Sequence, residues 1–160
     1  MPSGIFVLIL VAAVGCGLVG GFFFAFSIVV MAALGRLPAP QGIAAMQSIN
    51  VTVINPWFMT AWLGTGAACL ATIVGALADW GSSYSPYLLI GGGLYLVGSI
   101  GVTMAFNVPR NDALAKVDPA GAEAADHWAR YLTEWTAWNH VRTIAPLIAA
   151  GLEIGAIHVS

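Results

Sequence analysis

Where the last polar stretch gives way to the last apolar run, the chain spells Trp135-Thr136-Ala137-Trp138-Asn139-His140-Val141-Arg142-Thr143. On a helix Trp135, Trp138, Asn139 and Arg142 recur at three- and four-residue steps and form one stripe, with His140 and Thr143 on the adjacent face. Asn, His, Arg and Thr are costly at the mouth of an apolar segment unless something partners them. His140 is the candidate general base, histidine being the residue type suited to proton transfer near neutral pH. Arg142 and Asn139 are candidate holders of an enolate or phenolate oxygen, with Asn107 and Asn111 as further donors. Trp135, Trp138, Phe58 and the run Phe22-Phe23-Phe24 are candidate walls for a flat ring. A base, an anion-stabilising cation and a dry pocket together suit proton abstraction from a carbon acid. The plainer reading of the tryptophans is as anchors at a membrane interface.

Two other polar clusters precede this one. In Ile43 to Asn55, too short and too polar to span a bilayer, Gln47 and Asn50 lie three apart on one helical face beside Met46 and Ile54, and Asn55 closes the segment. Such a segment is also what an ordinary interfacial amphipathic helix looks like. In Asn107-Val108-Pro109-Arg110-Asn111-Asp112, Pro109 discourages helix at Val108 and frees carbonyls that Asn or Arg side chains can satisfy. Arg110 is a substrate-binding candidate, or simply the partner of Asp112 at the water boundary. Glu153 stands alone in the last apolar run. It is either functional, as intramembrane carboxyls tend to be, or hydrogen-bonded to a neighbouring helix through a residue such as Thr65 or Ser99. His127 and His158 are isolated, and no His pair at i,i+3 or i,i+4 points to a metal site. Cys16 and Cys69 lie inside apolar runs and read as buried small hydrophobes.

The elements that must position these residues follow from composition. Of 160 residues, 59% are hydrophobic and 8% charged, against roughly a quarter charged in soluble domains. The net charge of −2 gives no footing for nucleic-acid binding. The expectation is one all-α membrane domain over residues 1–160, a bundle of four transmembrane helices at about 4–34, 56–78, 86–106 and 141–157, with interfacial helical segments at about 40–55 and 119–138. Asn55-Pro56, Ser85-Pro86 and Asp118-Pro119 each pair an N-cap side chain with a proline at the first helical position. Ala13-Val14-Gly15-Cys16 faintly resembles a lipoprotein cleavage box, but no Lys or Arg precedes it and the apolar run continues to Leu34, which argues for a retained helix.

Arg36 follows the first span, and Arg110, Lys116, Arg130 and Arg142 lie in or border the connection after the third. The positive-inside bias therefore places both connections in the cytoplasm of a cell (inner) membrane and both termini outside. Trp80, Tyr84 and Tyr87 flank the short link between the second and third spans like an outer aromatic belt. Glycines such as Gly17, Gly21, Gly64, Gly66, Gly91 to Gly93, Gly98 and Gly101 allow close helix approach within the bundle or between copies of it, so a homo-oligomer is plausible. Gly91-Gly92-Gly93 has no following Lys-Ser/Thr pair and is not a phosphate loop.

Asn55-Pro56-x-Phe58, Asn107-Val108-Pro109-x-Asn111 with Leu114 nearby, and Trp135-x-x-Trp138-Asn139-x-x-Arg142-Thr143 together resemble the anthrone-oxygenase-like family of small membrane proteins. The resemblance extends over most of the chain, from Phe22-Phe23-Phe24-Ala25-Phe26-Ser27 onward, and leaves Ala120 to Glu134 unmatched. It implies a four-helix membrane bundle. It also implies oxidation of an activated aromatic methylene to a ketone with O2 as co-substrate and no bound redox cofactor. The partners expected are the bilayer and a lipophilic aromatic or quinol-like molecule. Two rival functions share the same residues: a non-catalytic module that binds or transports a hydrophobic small molecule, where Glu153 would matter most, and an accessory subunit of a membrane complex.

Overall fold

A computed structural model describes residues 3–160. Four helices are long and apolar enough to cross a membrane: α1 (Ser3–Leu34), α3 (Pro56–Ala78), α4 (Ser85–Leu114) and α5 (Ala124–His158). A shorter helix, α2 (Ala39–Thr52), lies between the first two. The described residues contain no strand, so the fold is the all-α, four-span bundle that the composition requires. α1 and α4 each pack against both α3 and α5, closing the bundle, while α2 lies against the first part of α5 and the end of α4. The start of α1, the link 79–84 and the end of α5 share one end of the bundle. The other end carries α2, the connection 115–123, Arg36, Arg110, Lys116 and Arg130, while Arg142 lies inside the bundle.

The proline signals resolve differently. Asn55 caps α3 as expected, its Oδ1 accepting from the Phe58 N–H at 3.0 Å with Pro56 in the first turn. Ser85 is instead the first residue of α4, and its hydroxyl donates back to the Asp79 carbonyl at 2.9 Å, which ties down the short link. Asp118 spends its carboxylate on a local turn, accepting from the Ala120 N–H at 3.0 Å. The helix expected to open there begins at Ala124 and continues without a break into the fourth span. Residues 124–145 contain neither Gly nor Pro, so nothing interrupts it.

α4 likewise runs past the stop expected at Val108. Its backbone widens into π-helical turns over Leu96–Gly101 and Thr103–Asn107. Local widening of this kind lets an apolar helix carry a proline. Arg110 Nη1 then donates to the Phe106 carbonyl at 2.8 Å, in the role foreseen for an Asn or Arg beside Pro109.

Small residues set the helix spacing. A Cβ on Gly92 would come within 2.9 Å of the Cys69 carbonyl, and one on Gly20 within 2.7 Å of Leu147. Gly17, Gly21, Gly64 and Gly93 have open space beside them. Cys16 and Cys69 meet between α1 and α3 with their sulfurs 3.6 Å apart, both fully buried and free. Glu153, also buried, accepts from the Thr72 hydroxyl at 3.1 Å and not from Thr65 or Ser99.

Candidate functional site

Towards the end of the bundle that carries the basic residues, aromatic side chains replace glycine between the helices and enclose a cavity of about 220 Å³. α1 contributes Phe22, Phe23 and Phe26, and α3 contributes Phe58, Met59 and Trp62. α2 adds Met46 and Asn50, α4 adds Thr103 and Asn111, and α5 adds Trp135 and Arg142. Trp62 forms the floor. Its indole N–H donates to Ser99 Oγ at 3.2 Å, and its carbonyl accepts from the Tyr95 hydroxyl at 2.8 Å.

Arg142 is the principal charged feature of this cavity. Its guanidinium carbon lies 4.2 Å from the Phe23 ring centroid and 4.7 Å from that of Trp135. Nε donates to Asn139 Oδ1 at 2.8 Å and Nη1 to Thr103 Oγ1 at 3.3 Å. The residue is only 7% exposed. Among the described residues the ion pairs are Arg110–Glu134 and, when the imidazole is protonated, His127–Glu123, so no carboxylate neutralises Arg142. A buried cation with aromatic faces and neutral hydrogen-bond acceptors but no counter-charge is a costly arrangement. Asn139 holds it in place: its Nδ2 donates to the Phe23 carbonyl at 2.9 Å and to Ser27 Oγ at 2.7 Å, beside the widened turn Phe26–Val30 of α1.

A second polar group faces the same space. Asn111 Oδ1 accepts from the Tyr131 hydroxyl at 2.8 Å and from Trp135 Nε1 at 2.7 Å. With both lone pairs of that oxygen occupied, the amide orientation is set, and its NH2 is the end left for the cavity. Asn50 Nδ2 makes a long contact of 3.5 Å to Tyr131 Oη.

The cavity thus brings together Arg142, Asn111, Asn50, Phe58 and Trp135, with Asn139 behind Arg142. Other residues singled out in the sequence lie elsewhere. His140 is exposed on the outer face of α5, because one residue past Asn139 turns the side chain by about 100° away from the stripe that faces inward. Proximity in sequence to Arg142 therefore does not make it the cavity's base. Trp138 stacks on Phe106, with centroids 3.5 Å apart and planes 6° apart, outside the cavity. Arg110 pairs with Glu134 at 3.0 Å, not with Asp112, since α4 and α5 run side by side there. Gln47 donates to the Leu114 and Val117 carbonyls at 2.9 and 3.0 Å and so closes the end of α4. Asn55 is a helix cap. Asn107 is buried, with Nδ2 donating to the Trp135 carbonyl at 3.2 Å.

Tyr131 and Thr103 join the site without a sequence motif that marks them, and Ser27 joins it from the run Phe22-Phe23-Phe24-Ala25-Phe26-Ser27. For Tyr131 the signal was present: it precedes Trp135 by four residues and so extends the Trp135–Asn139–Arg142 stripe upstream. A family model described as anthrone oxygenase matches residues 58–152. The chain belongs to the anthrone oxygenase family. No curated protein and no solved structure matches it. In this anthrone oxygenase family member the matched residues run from the cavity wall at Phe58 to the residue before Glu153. They include Trp62, Thr103, Asn111, Trp135 and Arg142, whereas Phe23 and Asn50 lie outside the match.

Proposed function

We propose that this protein oxidises an activated methylene of a lipophilic aromatic to a ketone with O2, holding the substrate as its enolate or phenolate against Arg142. The observation that carries this reading is the buried Arg142 facing an aromatic cavity with no carboxylate beside it. An anionic oxygen would supply the missing counter-charge. At an effective dielectric constant of about 20, opposite charges about 4 Å apart attract by about 4 kcal/mol. That corresponds to roughly three units of acidity in a bound carbon acid.

Deprotonation to a water molecule, which returns the proton when O2 adds, makes the substrate a good electron donor. Its carbanion combines with O2 and a proton to give a hydroperoxide, which loses water to leave the ketone, so one CH2 and one O2 become one C=O and one H2O. No resident cofactor is required for that balance. None of the side chains lining the cavity is a base at neutral pH. The protein's contribution is thus to lower the substrate's own pKa, orient its ring between Phe23, Phe58 and Trp135, and offer Asn111 as a second donor. The hydrogen-bonded floor at Trp62 favours an enclosed reaction chamber over a transport route, because Glu153 lies beyond that floor and lines no part of the cavity. The concentration of Lys and Arg at the cavity end favours a cytoplasmic orientation for it, in a cell membrane.

The test is O2 consumption and ketone formation with an anthrone in lipid nanodiscs. Arg142→Met is expected to lose about 10²-fold or more in kcat/KM, as for removal of an oxyanion donor. His140→Ala is expected to keep the wild-type rate. Wild-type protein that forms no ketone, or Arg142→Met that forms it as fast, would sink the proposal.

A further inference from the structure

The rim of the cavity has the opposite polarity to one that faces water. Its polar residues, Asn50, Thr103, Asn111 and Arg142, are buried or half-buried. The lining residues that reach the surface most are Ile54, at 72% exposure, and Met104, at 57%. An opening to water framed by such side chains would leave apolar surface solvated, whereas one facing hydrocarbon costs nothing.

Their positions agree. Ile54 lies in the short joint between α2 and α3. Met104 lies in the widened turn Thr103–Asn107 of α4, six residues before the Arg110–Glu134 ion pair. At the helical rise of about 1.5 Å per residue, that places it roughly 9 Å further into the bundle than the charges.

The size of the chamber sets what can sit behind this rim. About 220 Å³ exceeds the roughly 150 Å³ cavity that takes one benzene. It accommodates a small fused-ring system but no long chain as well.

We infer that the chamber opens sideways into the bilayer between Ile54 and Met104 and takes the ring of a tailed phenolic lipid that carries an activated ring methylene, whose alkyl or isoprenoid tail stays in the hydrocarbon. The inference rests on the proposed reading of the cavity as the substrate chamber and narrows its substrate class. The ring oxygen meets Arg142 and the Asn111 amide, and the tail leaves past Ile54 and Met104. Entry then requires no passage through water, which a molecule of this kind would avoid.

The experiment uses nanodisc-embedded protein under nitrogen, so that binding is measured without turnover. The probes are a naphthol and the same naphthol carrying a dodecyl chain with a diazirine near its ring end. Photolysis is expected to label the segments around Ile54 and Met104, with labelling suppressed by excess unlabelled dodecylnaphthol. A Met104→Trp variant, which narrows the opening, is expected to weaken the tailed probe at least tenfold relative to the naphthol alone. Labelling spread evenly over the lipid-facing helices, labelling confined to the connection 115–123, or an equal effect of Met104→Trp on both probes would each overturn the inference. Specific labelling in a protein that oxidises no anthrone would leave the side opening standing and remove the oxygenase reading. Oxidation with labelling at the connection would do the reverse.

Discussion

Arg142 keeps its charge buried because Asn139 occupies its Nε and two aromatic faces cover its plane. The identity of residue 139 therefore decides whether the guanidinium seeks an external anion. Asn139→Asp would place a carboxylate 2.8 Å from Nε in the present geometry. This variant is expected to fold with a lowered melting temperature, because a carboxylate oxygen replaces the amide that donates to the Phe23 carbonyl, and to bind a naphtholate at least tenfold more weakly. About 1.4 kcal/mol of lost attraction suffices for that factor. Undiminished naphtholate affinity in the variant would mean that Arg142 does not act as the counter-ion. The residue types of this site were legible in the sequence: Arg142, Asn139, Asn111, Asn50, Phe58 and Trp135 all stood out as polar or aromatic groups near a membrane boundary. His140 is exposed although its residue type suits a base, because the angle about the helix axis decides what faces the cavity. Gln47, Asn55 and Arg110 satisfy backbone carbonyls and helix ends, a demand that competes with ligand binding for the same side-chain types.

At the scale of elements, hydropathy located all four spans, because apolar length is what the bilayer selects. It did not locate their ends. The charged residues of 124–134 mark where the surroundings become polar, and a helix crosses that boundary freely when its backbone propensity is unbroken. For α4 the hidden element was the pair of widened turns, since a proline in sequence does not reveal whether the backbone stops or expands around it. Glycines were legible as packing residues as a group but not one by one. Gly92 abuts the Cys69 carbonyl, whereas its neighbour Gly93 faces open space. Gly92→Ala is expected to lower thermal stability in nanodiscs by a few degrees or more, as α3 and α4 must separate. Gly93→Ala is expected to be neutral or to stabilise by up to about 1 kcal/mol through helix propensity. Equal melting temperatures for the two variants would contradict the packing described for α3 and α4.

Across the whole molecule, close-packed small residues occupy the half nearer the termini and the aromatic chamber occupies the half nearer the basic residues. The seam between α1 and α3 joins the two halves. Phe23 and Trp62 line the chamber on this seam, and two helical turns from each of them are Cys16 and Cys69, whose sulfurs lie 3.6 Å apart. That contact makes the seam a molecular ruler that chemistry can read. Diamide, a thiol oxidant that takes up two electrons and two protons, would be reduced to its hydrazine as the two thiols become a covalent staple. The staple closes a loop of 53 residues, worth on the order of 4 kcal/mol in chain entropy. Non-reducing peptide mapping is expected to recover Cys16 and Cys69 joined to each other within one chain. Disulfides that join separate chains of the folded protein through Cys16 or Cys69 would show that α1 and α3 do not meet at this register. A single oxidation would thus turn a fold built entirely on non-covalent fit into one that records its own helix spacing.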